Sequence, residues 1–245
     1  MDVTEIKPPI AQELITVISN ALPDDKYQEL KEKLGALKAI RTHGKFLWYP
    51  FNQMAPQNII EQVVQYFAGL VDPEGVFAGA EYWTRVRPVA EVKPLHFDKD
   101  EYLFRTKEQL KHPAFGSVFY FGPEGGGTLV LKQVADPETR KHIPAEPTHG
   151  ASIAPKDNQY LLFPGNLRHG VLSEENTVAE EEARLTLLIN WWKEAPCEEN
   201  FSTSWEAIPE DNFFKQAIAI PADAAHIPAK HQPQLTTLDF HQLDL

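Results

Sequence analysis

The feature that most constrains the fold is a change of hydrophobic period near Ala80. Upstream of it, apolar residues recur at three- and four-residue spacing, as on amphipathic helices. Downstream, apolar and β-branched residues alternate with polar ones in short runs bounded by glycine and proline, which is typical of antiparallel strands. The chain is therefore expected to form a mainly β core preceded by helices. The predicted strands are Glu81–Val89, Gly116–Gly122, Thr128–Val134, Tyr160–Phe163, His169–Leu172 and Arg184–Trp192.

A single domain of three segments is predicted for the 245 residues. Residues 1–78 form an N-terminal helical region, 79–194 the β core and 195–245 a C-terminal extension. This length is sufficient to bury a sizeable hydrophobic core. The chain is thus read as one globular unit with additions at both ends.

Three helices are expected in the N-terminal region. The first carries the apolar spacing of Ile10–Leu22, the second begins at Asp24-Asp25, and Asn58 caps the third. A fourth, short helix is predicted at Asp211–Ile220. The apolar residues on one side of each helix are most simply explained as a surface that packs on a sheet.

Two segments between the predicted strands differ in kind. Gly122–Gly127 contains four glycines and a proline, so it is expected to form a turn. Residues 135–158 show no periodicity, and a loop of that length is usually a lid or a binding loop. We therefore expect a lid at 135–158.

Charge and cysteine content narrow the classes of partner. The chain has 23 basic and 35 acidic residues, a formal net charge of −12, and no basic stripe. Generic binding to nucleic acid or to an anionic membrane is therefore disfavoured. The single Cys197 excludes an internal disulfide and fits a reducing compartment. With no apolar leader and no apolar run of membrane-spanning length, a cytoplasmic location is expected.

Two histidines and one aspartate are the candidate metal ligands. His96 and Asp98 stand two apart, so in an extended segment their side chains would project to the same side. His169 opens a later strand after a Pro-Gly-Asn turn. Two imidazoles and a carboxylate are the ligand set of non-haem Fe(II) oxygenases. A lone His-x-Asp pair is a weak signal, since an exposed turn or a structural histidine also explains it.

A buried arginine is the second candidate feature. Arg184, Thr186 and Asn190 share one face of an apolar strand whose other face is core. Burying a guanidinium is costly without an anion. The anion could be one of the many carboxylates of the chain, in a structural salt bridge. It could equally be a substrate carboxylate bound in a bidentate manner by the guanidinium.

In combination, these motifs resemble the Fe(II)/2-oxoglutarate-dependent dioxygenase superfamily. His96-x-Asp98 is followed by His169 and then, 15 residues later, by Arg184-x-Thr186. The Tyr120 strand, the glycine-rich turn and Thr128–Leu131 are also similar to that family's central strands. The resemblance covers roughly residues 80–193 and implies a double-stranded β-helix, or jelly roll, flanked by N-terminal helices.

The resemblance also implies roles for particular residues. Iron would be held by the catalytic triad His96, Asp98 and His169, with O2 and 2-oxoglutarate as co-substrates. Since the carboxylate ligand is present, hydroxylation or desaturation is favoured over halogenation. Residues expected to bind 2-oxoglutarate are Arg184, Thr186, Tyr120 and Asn190, and candidate substrate contacts are Trp83, Arg85 and Arg87.

Three functions stay open on the sequence. The first is an oxygenase acting on a small molecule, such as an amino acid or a natural-product intermediate. The second is an oxygenase acting on a protein side chain, which needs an open groove. The third is a non-catalytic jelly-roll protein that binds a metal or another ligand.

Overall fold

A computed structural model describes residues 15–36, 46–72, 74–88, 92–172, 183–197, 229–231 and 236–237. Among these residues, strands predominate over helices. The helices are α1 (Asp24–Ala36), α2 (Ile59–Val71) and α3 (Glu101–Lys107). The strands are β1 (Thr16–Ser19), β2 (Leu47–Pro50), β3 (Gly79–Pro88), β4 (Lys93–His96), β5 (Phe115–Tyr120), β6 (Thr128–Leu131), β7 (Val134–Ala135), β8 (His142–Ile143), β9 (His149–Ile153), β10 (Gln159–Pro164), β11 (His169–Val171), β12 (Ala183–Trp192), β13 (Ala229–His231) and β14 (Thr236–Thr237).

Two antiparallel sheets form the body. The larger has the order β13-β1-β10-β5-β12-β3-β2 and the smaller the order β14-β9-β6-β11-β4, while β7 and β8 form a separate ribbon. The inner faces of the two sheets meet in an apolar layer. Tyr120 and Phe163 of the larger sheet pack there with Val130, Ala151 and Ile153 of the smaller. Because side chains alternate along each strand, the opposite face of the larger sheet is free for helices.

That outer face carries α1 and α2. Phe67 of α2 stacks on Tyr160 of β10 with ring centroids 4.4 Å apart and also contacts Phe119 of β5. The helix begins where the sequence indicates, because the Asn58 side chain accepts a hydrogen bond from the backbone N–H of Glu61. The large cluster of buried side chains lies between these helices and the sheet. The molecule thus has three layers: helices, larger sheet and smaller sheet.

The six predicted core strands are all observed, as β3, β5, β6, β10, β11 and β12. The acidic start of α1 and the Asn58 cap of α2 are also confirmed. Gly122–Gly127 lies between β5 and β6, as expected for a turn. Alternation of side chains was therefore a sufficient signal where strands are long and bounded by glycine or proline.

The expected helix through Val17 and Ile18 is wrong. These residues lie in β1, which pairs with β10 inside the larger sheet. Val17 faces the inter-sheet layer and Ile18 the helix side, so both faces of the strand are buried. The short run is rich in β-branched residues, which favour strands, and its helical spacing was coincidental. The N-terminal region therefore combines α1 and α2 with two strands, β1 and β2.

The interpretation of residues 135–158 as one long loop is also wrong. β9 in this segment is a full strand of the smaller sheet, paired with β6, and β8 pairs with β7. Its sequence, His-Gly-Ala-Ser-Ile, is rich in small residues with little intrinsic preference for strands, so the pattern was weak. The helix expected at Asp211–Ile220 lies outside the described residues, whereas the backbone of 229–231 and 236–237 adds one strand to each sheet. Within the part of the chain that the structure describes, no helix is both long and apolar enough to cross a membrane.

Candidate metal centre and its cavity

The fold brings His96, Asp98 and His169 together. β4 and β11 are neighbours in the smaller sheet, and their pairing places His96 directly opposite His169. Each oxygen of Asp98 faces one imidazole: Oδ1 lies 3.7 Å from His96 Nε2 and Oδ2 lies 3.5 Å from His169 Nε2. Among the described residues, these three form the cluster whose potential ligand atoms all lie within 4.8 Å of one another.

Both imidazoles are held in the tautomer that a metal requires. Nδ1 of His96 lies 2.9 Å from the carbonyl oxygen of Pro94, and Nδ1 of His169 lies 3.0 Å from that of Leu167. Since a carbonyl only accepts, each Nδ1 carries the proton and each Nε2 presents a lone pair towards Asp98. Such backbone contacts also fix the orientation of the rings.

Protons do not compete with a metal ion for the His96 imidazole at neutral pH. Burial and the neighbouring His169 lower the pKa of this imidazole to about 4, although Asp98 acts in the opposite direction. The ring is therefore neutral at pH 7, which is the form that binds a metal.

Asp98 is positioned by the segment that follows it. Nδ1 of His112 donates a hydrogen bond of 2.6 Å to the backbone carbonyl of Asp98. Asp100, two residues after Asp98, is buried, and its side chain caps α3 by accepting a hydrogen bond from the backbone N–H of Leu103. The same carboxylate also accepts a hydrogen bond from the backbone N–H of Cys197. The sequence did not predict α3, although Asp100 followed by Glu101 is an ordinary helix-start signal.

The three side chains fit a divalent transition metal. With metal–ligand bonds of about 2.1 Å, adjacent ligand atoms stand about 3 Å apart. The separations of 3.5 and 3.7 Å between Asp98 and the two imidazoles are longer than this by roughly half an ångström, and all three ligand atoms lie within 4.8 Å of one another. Two neutral nitrogens and one carboxylate also leave coordination positions open, as in a 2-His-1-carboxylate facial site. The triad therefore suits iron and similar metals.

A cavity of about 260 Å³ adjoins the triad and lies between the two sheets. Its walls include Arg184, Thr186 and Asn190, the predicted polar face of β12. Leu187, Ile189 and Trp191, on the opposite face of that strand, are packed in the core. The prediction that one face of β12 is polar and the other is core is confirmed.

Arg184 is fixed at one end of the cavity. The residue is only 8% exposed, and its guanidinium donates to the carbonyl of Gly126 at 2.9 Å and to Thr128 Oγ1 at 3.0 Å. Gly125 has φ +87, and a Cβ there would come within 3.0 Å of Arg184 Cδ. The glycine-rich turn therefore wraps closely around the arginine, because only glycine combines this backbone angle with such an approach.

Thr128 is a site residue that sequence reasoning missed. Its hydroxyl oxygen accepts from Tyr120 at 2.7 Å and from Arg184, and the residue lines the cavity. With both lone pairs engaged, the hydroxyl has its proton left to donate. Tyr120 is fully buried behind Thr128, so its hydroxyl reaches the cavity through Thr128. The threonine begins a strand directly after the glycine-rich turn Gly122–Gly127, which was the available signal.

Glu81 is the second missed residue. It lines the cavity, is 5% exposed, and its Oε2 accepts a hydrogen bond of 3.1 Å from Asn190 Nδ2. Burial raises the pKa of this carboxyl to about 8, against the Asn190 hydrogen bond and with a smaller contribution from Asp98. A glutamate inside the predicted Glu81–Val89 strand, on the same side as Trp83 and Arg85, was a signal that the sequence offered.

The candidate substrate contacts differ in placement. Trp83 and Arg85 line the cavity, together with Phe46, whose ring meets that of Trp83 edge to face at 4.8 Å. Arg87 lies in β3 opposite Arg184, and its side chain is outside the described residues. Trp83 and Arg85 thus remain candidates on geometry, while the contact predicted for Arg87 stays a prediction.

A buried glutamate of this kind predicts an unusual dependence of stability on pH. In the unfolded chain Glu81 ionises near its ordinary pKa of 4.5, whereas the native protein keeps the proton to about pH 8. Between these values the native state binds more protons, so raising the pH favours unfolding. We expect Glu81→Gln to raise the unfolding midpoint, relative to the original protein, by about 10 °C more at pH 8 than at pH 5. Thermal denaturation in the presence of a chelator measures this difference.

Glu61→Gln is the matched control, since it changes another buried glutamate outside the cavity. That carboxylate accepts from the hydroxyl of Tyr82 and from the backbone N–H of Gln57. Its loss is expected to lower the midpoint. A Glu81→Gln effect that is the same at both pH values would contradict the assignment of a raised pKa.

Comparison with known proteins gives a structural likeness only. No protein-family model and no curated protein matches the chain. Among solved structures, it is similar to a prolyl-4-hydroxylase from Pseudomonas putida, at 16% identity and a TM-score of 0.43 over 72% of this chain and 83% of that one. It is also similar to HygX from Streptomyces hygroscopicus with nickel and 2-oxoglutarate bound, at 14% identity and a TM-score of 0.44 over 72% and 81%.

An oxidoreductase of the 2OG-Fe(II) oxygenase family from Burkholderia pseudomallei is a third similar structure. Identity is 13% and the TM-score 0.31, over 54% of this chain and 51% of that one. The structure is thus similar, at a distance, to 2OG-Fe(II) oxygenases.

Proposed function

We propose that this chain is an Fe(II)- and 2-oxoglutarate-dependent oxygenase that hydroxylates or desaturates a C–H bond of a small molecule. The observation that carries the proposal is the arrangement of His96, Asp98 and His169, in which two backbone-fixed imidazoles and one carboxylate converge on a point. The two facing antiparallel sheets are compatible with a jelly roll.

Each proposed role follows from the contacts already described. His96, Asp98 and His169 would hold the iron, which when bound supplies oxidation of the substrate coupled to decarboxylation of 2-oxoglutarate to succinate. Arg184 and the Thr128 hydroxyl would bind the distal carboxylate of 2-oxoglutarate, and Thr186 lies on the same wall. Tyr120 would act by orienting Thr128.

A small molecule is favoured over a protein side chain as substrate. The cavity of about 260 Å³ lies at the small end of ligand sites. Its charged walls, Arg184 and Glu81, are both nearly inaccessible to solvent. A buried site of this size suits a compact ligand better than an extended peptide.

The test is an anaerobic titration of the metal-free protein with Fe(II) and then with 2-oxoglutarate. A visible metal-to-ligand charge-transfer band is expected only when both are present. If Fe(II) binds but no band forms, the Arg184 role fails. If neither binds, the non-catalytic alternative is favoured.

The Thr128 role can be tested separately. Thr128→Val removes the hydroxyl but keeps the shape, so it should weaken 2-oxoglutarate by about tenfold, the effect of losing a hydrogen bond to a charged group. Fe(II) affinity should not change, and Thr128→Ser should retain most of the 2-oxoglutarate affinity. Titration of the charge-transfer band measures both.

Thr106→Val is the control, since the Thr106 hydroxyl bonds only its own helix, at Tyr102 O. Equal affinity for 2-oxoglutarate in Thr128→Val and in the original protein would remove Thr128 from the site.

A further inference from the structure

The cavity has two chemically different ends. One, the arginine end, comprises Arg184, Thr186 and Arg85, which face one another across β12 and β3. Lys93 and Thr128 both pair with Val171 of β11 and complete that end from the smaller sheet. Three of these five side chains are cationic, so the arginine end suits an anion.

The other, the glutamate end, comprises Glu81, Asn190, Trp83 and Phe46. Glu81 pairs with Asn190 across the same two strands, six residues along β12 from Arg184. At about 3.3 Å per residue, this separates the backbones of Arg184 and Asn190 by about 20 Å along the strand. Glu81 is the ionisable side chain among the four that define this end, so the glutamate end suits a cation.

The co-substrate cannot fill both ends. The five carbons of 2-oxoglutarate span about 5 Å at bond lengths of about 1.5 Å. With one carboxylate at Arg184, a molecule of this length does not reach the glutamate end. That end is left for the substrate.

The metal centre is close to the glutamate end. Asn190 pairs with Gly116, which pairs with Phe163, so these residues form one row across the larger sheet. The Phe163 ring lies 4.8 Å from that of His169. A ligand held at the glutamate end therefore lies beside the metal ligands.

We propose that the glutamate end is a subsite for an ammonium group of the substrate, with Glu81 as its counter-ion and Trp83 and Phe46 as its aromatic wall. The inference deepens the proposed function and rests on it, since it takes the substrate to occupy this cavity. Carboxylates and aromatic faces both attract cations, and they do so more strongly when water is excluded.

The local electrostatics favour this pairing. Burial raises the pKa of Glu81 to about 8, the Asn190 hydrogen bond offsets this only in part, and Asp98 and Asp100 add smaller contributions, so the anion is incompletely compensated inside the protein. An ammonium ion would supply it. A bound divalent ion at Asp98 would also favour ionised Glu81, which keeps the carboxylate available as the partner. Lys99 on the cavity wall is already engaged by Glu101 at 2.8 Å.

The experiment compares amines with their neutral counterparts. The probes are the free L-amino acids and simple primary amines, each paired with its N-acetyl derivative, titrated calorimetrically into the protein. Protein loaded with Fe(II) and 2-oxoglutarate without oxygen is used first. Metal-free protein is used second, at about pH 8.5, where Glu81 with its pKa of about 8 is mostly ionised. At least one amine should bind about tenfold more tightly than its N-acetyl partner, as expected for a buried charge-assisted contact.

Variants connect the preference to Glu81. Glu81→Gln should abolish the difference between amine and N-acetyl partner, and Trp83→Leu should reduce amine binding about fivefold through loss of the cation–π contact. Glu61→Gln changes a buried glutamate of α2, which accepts a hydrogen bond from Tyr82 on the helix side of β3. This variant should keep the full preference for the amine over its N-acetyl partner. If Glu81→Gln does not fold, Trp83→Leu decides.

The inference is overturned if no amine in the panel binds, if amines and N-acetyl derivatives bind equally, or if Glu81→Gln retains the preference. Its failure is distinguishable from that of the proposed function. A charge-transfer band in the original protein without any amine preference refutes only the ammonium subsite. Absence of the band refutes the oxygenase, while the titration of metal-free protein still decides for or against the subsite.

Discussion

Asp98→Ala is expected to abolish turnover of 2-oxoglutarate and to weaken Fe(II) binding by at least about 100-fold, the upper range found for residues that merely support a ligand. Asp98 is the carboxylate that each imidazole faces, so its removal leaves two neutral nitrogens and no anionic ligand. His96→Ala and His169→Ala should likewise abolish turnover. Fe(II) titration and succinate formation measure the effects.

The protein should stay folded in these variants. The Asp98 side chain lies at the cavity, and the backbone around it is held independently by His112 and Asp100. Asp157→Ala is a suitable control, because that aspartate bonds Tyr27 and Lys31 of α1 and does not line the cavity. Full turnover in any one of the triad variants would remove that residue from the set of ligands.

Arg184→Lys is expected to weaken 2-oxoglutarate by about 10- to 100-fold while changing Fe(II) affinity little. Lysine keeps the positive charge but loses the planar fork, which here contacts Gly126 and Thr128 and is proposed to contact the co-substrate. The range corresponds to hydrogen bonds between charged groups in a buried site. Titration of the charge-transfer band with 2-oxoglutarate at saturating Fe(II) measures it.

Arg140→Lys provides the matched control, since Arg140 forms an exposed pair with Glu108 outside the cavity. It should bind 2-oxoglutarate as the original protein does. An unchanged affinity in Arg184→Lys would assign this buried arginine to structure alone, through its contacts with the glycine-rich turn.

The proposed ligand triad could be picked out in the sequence because each part carried a local pattern. His96 and Asp98 stand two apart, and His169 follows the Pro-Gly-Asn turn at the start of a predicted strand. Their contact was not accessible in this way, since it depends on β4 pairing with β11 across more than seventy positions of sequence. The polar face of β12 was predictable for the same local reason, from strict alternation.

Thr128 and Glu81 show where local reasoning stops. Each looks ordinary in sequence: a threonine that begins a strand and a glutamate within one. Thr128 becomes part of the site because Arg184 and Tyr120 both donate to it from the facing sheet. Glu81 becomes significant because it is buried on a cavity wall opposite Asn190. The burial of Glu81 and the partners of Thr128 on the facing sheet cannot be read from the residues adjacent to them in sequence.

The errors have the same origin. β1 was mistaken for a helix because a strand buried on both faces has no alternation to reveal it. β9 was taken for a loop because its small residues gain their strand conformation from pairing with β6. Sequence by itself determined the helices with clear caps, the alternating strands and the chemistry of the triad, because those depend on neighbours along the chain. The pairing of strands, the two ends of the cavity and the burial of Glu81 were decided by tertiary structure, because they depend on which distant strands exclude water together.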